Sequence, residues 1–218
     1  YNYDDYDLRK NVLIIGNSHG EDLLKILSFT NLTDKIYFNI ASLKTRKNDY
    51  NFQLEYLLKL LKENKADIDF YHYFKSYNDK DLLAHLKKQY TNAKLIIFST
   101  KYTDNDLIIL DELIQLLKKN NKEIIIFDNT LEMTVQTSHK LNRSDTFVYK
   151  NKRLPNINEL KKIEQNMFED LNNTEDINLK IEEIAKRNGV NLIQRKKIHC
   201  NFNNKRCPAL TDDGYKIY

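Results

Sequence analysis

The stretch Asn11-Val12-Leu13-Ile14-Ile15-Gly16-Asn17-Ser18-His19-Gly20-Glu21-Asp22-Leu23-Leu24 decides how this sequence is read. Asn11 to Ile15, ending in Gly16, is a short apolar run with β-branched content, which predicts a buried parallel strand. Gly16 to Gly20 interrupts it with small and polar residues. From Gly20 to Phe29, Leu23, Leu24 and Leu27 recur at helical spacing. Glu21 and Asp22 stand in the first turn, where the helix dipole favours anions. Residues 11–30 are therefore expected as strand, tight turn and helix.

The rest of the chain repeats that alternation. Ile36–Ile40, Lys94–Phe98, Glu123–Phe127 and Val190–Ile193 read as further strands, with Ile68–Phe74 a shorter extended stretch. Leu54, Leu57, Leu58 and Leu61 form one helical stripe, and Asp79–Gln89 predicts another helix. Thr103 with Asp106 resembles a capping box opening a helix whose Leu107, Leu110, Leu113, Ile114 and Leu117 share a face. Residues 157–188 read as helical with a break at Asn172–Thr174, and Gly189 fits a C′ cap. Residues 128–156 read as a long irregular loop, whose Arg143, Lys150, Lys152 and Arg153 are expected to be solvated, or to meet an acidic glycan. Strands alternating with amphipathic helices predict an α/β fold, a three-layer α/β/α sandwich with a mostly parallel central sheet.

Composition narrows the function. The 218 residues hold 35 Lys and Arg against 31 Asp and Glu, a net charge of +4. So small an excess, spread along the chain, argues against a nucleic-acid partner. No run approaches the ~18 apolar residues of a membrane span. The first residue is Tyr1 and the last is Tyr218, and both ends are expected to be cuts in a longer protein.

Ser18 stands where a strand ends and a helix begins, at the edge where open α/β sheets bind ligands. There the hydroxyl points out of the turn, near amides that steady a developing negative charge. A serine in this position is also a common turn or N-cap residue. A phosphate loop is excluded, because neither G-x-G-x-x-G nor G-x-x-x-x-G-K-[ST] occurs. Gly16-x-Ser18-x-Gly20 matches the nucleophile elbow of α/β-hydrolases literally. That fold needs several strands before its elbow, and only ten residues precede this strand.

The turn resembles the first block of the SGNH/GDSL hydrolase superfamily, a G-D-S-H or G-D-S-L turn directly after the first strand, with Asn17 in place of the usual Asp. The resemblance is closest to SGNH domains fused to membrane acyltransferase-3 type polysaccharide O-acyltransferases. It implies the flavodoxin-like SGNH fold over residues 1–218 as a single domain, with Ser18 as nucleophile. Gly16, Asn17, His19 and Ser99 would support the turn or the oxyanion. It further implies acyl transfer, with acetyl expected, to a carbohydrate hydroxyl or to water. The donor would be presented by a membrane acyltransferase domain of the same parent chain, outside the cytoplasm, with no cofactor and no metal. In that subfamily a two-cysteine loop precedes a G-x-x-I/L-Y-x-D-x-x-H-L segment. Here Gly189–Ile193, Cys200, Cys207 and Gly214–Tyr218 follow the same track, and the chain stops where D-x-x-H is expected. The second block departs too, since Ala41-Ser42-Leu43-Lys44 holds no Gly. The third is replaced by Ser99-Thr100-Lys101-Tyr102.

Cys200 and Cys207 are expected as a disulfide closing an eight-residue loop, with two free thiols as the other reading. Zinc is disfavoured, because only His199 adds a ligand nearby. The Asp69/His72 and Asp81/His85 pairs and His139 are expected at the surface or in packing. Two other functions stay open on this sequence. One is a catalytically degenerate glycan-binding or accessory domain on the same fold. The other is a small-ligand-binding doubly wound domain with reduced thiols.

Overall fold

The computed structural model describes residues 10–42, 54, 58, 62, 90–129, 143–171 and 175–210. In chain order they form β1 (Lys10–Gly16), α1 (Ser18–Ser28), a 3-10 turn (Asn31–Asp34), β2 (Ile36–Ser42), β3 (Leu95–Phe98), α2 (Asp104–Lys119), β4 (Glu123–Phe127), α3 (Arg143–Asn151), α4 (Ile157–Glu169), α5 (Glu175–Asn188), β5 (Asn191–Ile193) and α6 (Arg195–His199). The chain divides into two compact units. One comprises Tyr1–Asp128 with Lys180–Ile193, the other Asn129–Leu179 with Gln194–Tyr218.

The first unit is the α/β body. Its five strands lie in the order β2-β1-β3-β4-β5, and every pairing is parallel. The chain leaves β1 towards β2, then returns past it to β3 and proceeds through β4 to β5. Right-handed crossovers in opposite directions put their helices on opposite faces. α1 therefore covers one face, and α2 and α5 the other. Side-chain alternation agrees with this. Val12, Ile14 and Ile97 form a cluster with Leu23, Leu24 and Leu27 of α1. Leu13, Ile15, Ile96, Phe98, Ile124 and Ile126, all buried, have the opposite parity and point to the far face.

On that face α2 begins with the capping box anticipated from Thr103 and Asp106. The Thr103 amide and hydroxyl both donate to Asp106 Oδ2 at 2.7 Å. Its Leu107, Leu110, Leu113, Ile114 and Leu117 are buried as the spacing requires. Polar contacts tie α2 to α5: Lys180 to Asp104 (2.5 Å), Asn188 Nδ2 to Asp111 (2.6 Å) and Arg187 to Asp111 (2.9 Å). α5 ends at Gly189 with φ +60. There the Gly189 amide donates to Lys186 O and the Val190 amide to Ala185 O, a Schellman closure that suits glycine. Leu54 and Leu58 are helical and buried, as their stripe predicts.

The second unit is built around a cluster of Ile163, Met167, Leu171, Cys200, Cys207 and Ala209, with Phe147, Leu160 and Phe168 packed against it. Its Arg143 side chain forks onto Asp170, with Nε at 2.5 Å and Nη2 at 2.6 Å. One sequence expectation needs correction here. Residues 128–156 are not wholly irregular, because α3 occupies Arg143–Asn151. Only Thr146 of that helix is fully buried, so no apolar stripe announced it. After β5, α6 supplies a helical turn before Cys200.

Cys200 and Cys207 form the disulfide, with Cα atoms 4.2 Å apart. The free-thiol and zinc readings of this pair are thereby set aside. An antiparallel bridge between Asn201 and Arg206 closes the same loop. Glu164, almost fully buried, accepts from the Arg206 guanidinium and from the Ala209 amide. The sequence readings at Leu57, Leu61, Ile68–Phe74, Asp79–Gln89, His139, Asn172–Thr174 and Gly214–Tyr218 lie outside the described residues.

Candidate active site

The first unit has one place where the strand order reverses, between the carboxyl ends of β1 and β3. Crossovers leave these two strands in opposite directions, so neither helix closes the gap between them. Such a switch point is where doubly wound sheets bind ligands. The Gly16–Gly20 turn lies on one side of this gap and Ser99-Thr100 on the other.

The two sides are in close contact. A Cβ at Gly16 would stand 2.0 Å from the Ser99 carbonyl oxygen, so no other residue fits without moving backbone. The Ser99 amide donates to Ile15 O at 3.0 Å, extending the β1–β3 ladder. The Ser99 hydroxyl donates to the His19 carbonyl at 3.0 Å. Ser99 is wholly buried.

Asn17 caps α1. Its Oδ1 accepts from the His19 amide at 3.0 Å. Its carbonyl accepts from the amides of Gly20 (2.8 Å) and Glu21 (3.1 Å). Three of the helix's leading amides are thus satisfied by one residue, itself only 5% exposed. An Asp would make the same cap, but Asn does so without placing a negative charge beside Ser18.

Ser18 is what remains. It is the first residue of α1 and is exposed. Among the described residues neither its amide nor its hydroxyl meets a hydrogen-bond partner. An exposed serine, an N–H with no partner among the described residues and the positive end of a helix dipole therefore coincide at one residue.

The structure brings together Gly16, Asn17, Ser18, His19 and Ser99 as the sequence reading grouped them. Ser99 braces the turn through its only hydroxyl proton. The second block follows β2, whose last residue Ser42 is in register with Gly16; Leu43 and Lys44 lie outside the described residues. His19 is the one histidine described in this unit, and it makes no hydrogen bond to Ser18 Oγ. Sequence reasoning did not single out Asp128. It is buried at the carboxyl end of β4, where its amide donates to Ile193 O at 3.1 Å. Its place directly after the apolar run Ile124–Phe127 was the available signal.

Among the described residues no group of three or more His, Cys, Asp or Glu is placed to hold a metal ion. No helix among them is long and apolar enough to cross a membrane.

No family model and no curated protein matches the sequence. Among solved structures, the chain is similar to a GDSL-like lipase from Bacteroides thetaiotaomicron VPI-5482. Their identity is 14% and the TM-score 0.45, over 95% of this chain and 79% of that one.

Proposed function

We propose that the chain is a serine esterase or O-acyltransferase domain of SGNH/GDSL type, with Ser18 as its nucleophile. The observation that carries this reading is the exposed Ser18 at the switch point, whose amide and hydroxyl meet no hydrogen-bond partner among the described residues. Ser18 Oγ attacks the carbonyl carbon of an ester, and the carbonyl electron pair moves onto oxygen. That oxyanion faces the Ser18 amide and the positive end of α1. Collapse re-forms the carbonyl and expels the alcohol, which takes the serine's proton through a base. The acyl-serine then yields its group, acetyl in the expected case, to a carbohydrate hydroxyl or to water by the reverse steps.

The base would be an imidazole held by a carboxylate, as in the D-x-x-H segment that the resemblance implies. The donor is an acyl group presented by a membrane acyltransferase domain. A compartment outside the cytoplasm fits the Cys200–Cys207 disulfide, which persists under oxidising conditions.

One observation favours a second reading, a non-catalytic glycan-binding domain on the same fold. Ser99 commits its proton to the His19 carbonyl, which leaves the Ser18 amide as the one oxyanion donor found among the described residues. The deciding experiment is aryl-acetate turnover by protein that includes the D-x-x-H segment. Ser18→Ala is expected to reduce kcat by at least about a thousandfold with the fold intact. Turnover that survives the substitution unchanged removes Ser18 from the chemistry.

A further inference from the structure

The corner between α3 and α4 in the second unit holds large apolar side chains outward. Leu154 is 77% exposed, Ile157 74% and Tyr149 51%. This is not a frayed loop. Lys152 takes a left-handed φ of 53, and its amide closes α3 on Val148 O at 2.8 Å. Arg153 forks onto Glu159 at 2.7 and 2.6 Å and also donates to Leu154 O at 3.0 Å. Asn156 caps α4, its Oδ1 accepting from the Glu159 amide, while Glu159 accepts from the Asn156 amide in return. Phe147 and Leu160, on either side, turn inward onto the cluster. The fold therefore builds a hydrogen-bonded tip and leaves leucine and isoleucine largely in water, where they bury little area within the unit.

The charge around the tip is predominantly positive. Residues 150–162 contain Lys150, Lys152, Arg153, Lys161 and Lys162 against Glu159 alone, and five minus one is +4. All five cations are exposed. Lys161 lies one helical turn beyond Ile157, on the same face of α4. Lys152 Nζ stacks over the Tyr149 ring at 4.4 Å from its centroid, a pairing of cation and amphipathic ring that suits a lipid headgroup layer.

We infer that this corner is a contact site for an anionic lipid surface. Leu154 and Ile157 enter the boundary between headgroups and acyl chains, and Lys150, Lys152, Lys161 and Lys162 sit on lipid phosphates. The combination selects this partner. A soluble polyanion would use the cations but has no apolar layer to receive the aliphatic tips, and an apolar protein groove would not call for the cations. The inference does not depend on the role of Ser18.

The chain has no tryptophan, which gives a direct test. A Leu154→Trp variant of the 218-residue chain is mixed with vesicles of phosphatidylcholine containing about 30% phosphatidylglycerol. The expected result is a blue shift of the single tryptophan's emission, absent with dextran sulfate. In sedimentation of the unlabelled chain, Leu154→Ser with Ile157→Ser is expected to weaken vesicle binding by at least about tenfold. Lys150→Gln with Lys152→Gln is expected to weaken it comparably, and raised salt to weaken the parent. Three outcomes overturn the inference. They are failure of the parent chain to bind these vesicles, binding undiminished by the aliphatic substitutions, and a blue shift as large with dextran sulfate as with vesicles. All four substituted positions are exposed, so circular dichroism is expected to show an unchanged fold.

Discussion

The Ser99 hydroxyl donates to the His19 carbonyl at 3.0 Å, across 80 positions of sequence. This bond ties the end of β3 to the first turn of α1, next to the exposed serine. Ser99→Ala removes it and leaves a small void at a fully buried position. A loss of about 1 kcal/mol of stability is expected, read from the urea midpoint. If Ser18 is the nucleophile, turnover falls as well, because the brace sets where α1 begins. An unchanged midpoint would show that the bond contributes nothing.

Gly16→Ala is expected to be far more severe. The new methyl carbon would lie 2.0 Å from the Ser99 carbonyl oxygen, an atom fixed in the β1–β3 ladder. Separating the two strands to admit it is expected to cost about 3 kcal/mol. Chemical denaturation checks this, and wild-type stability would mean that the strands are not so closely apposed.

Reduction of the Cys200–Cys207 disulfide frees a short loop whose two sulfurs are buried in the second unit's cluster. On the chain-entropy account, closing eight residues contributes at most about 2.5 kcal/mol. Dithiothreitol is expected to lower the melting temperature of the oxidised chain and to leave a Cys200→Ala/Cys207→Ala variant unaffected. Equal sensitivity of the two proteins would exclude the disulfide as the cause.

Glu159 titrates well below its ordinary range. The Arg153 fork, with help from the Asn156 amide, holds its pKa at about 2 against a usual 4.5. A depressed carboxyl favours the folded form only when ionised. Its contribution is complete above pH 4.5 and drains away as pH falls towards 2. Carboxyl-carbon NMR of Glu159 is expected to show the low midpoint, and Arg153→Gln to return it most of the way. A midpoint near 4.5 in the parent would mean that the fork does not persist in solution.

The strands were legible because each is a short apolar run bounded by polar residues, and burial on both faces allows little else in Val12–Ile15 or Ile124–Phe127. The start of α2 and the end of α5 were legible from local chemistry at Thr103, Asp106 and Gly189. Strand order was not, since periodicity shows which residues are inside and not which strand lies beside which. α3 escaped notice because its Val148 and Tyr149 face outward, which erases the helical stripe. Ser18 could be picked out because strand, turn and helix are contiguous there. Ser99 could be assigned to the same turn only through the family resemblance, and its partner, the His19 carbonyl, emerged only with folding, which brings residue 99 to residue 19. The outward tip at Leu154 and Ile157 was hidden for a related reason, since the same letters describe a buried pair.

β1 is bonded to neighbours along both edges, and so is β3. Backbone amides in such strands are the slowest to exchange with heavy water, whereas a border strand such as β5 opens earlier. The Gly16–Gly20 turn thus grows out of a strand held on both sides. A hydroxyl carried on such a turn inherits the fixed position of the strand beneath it.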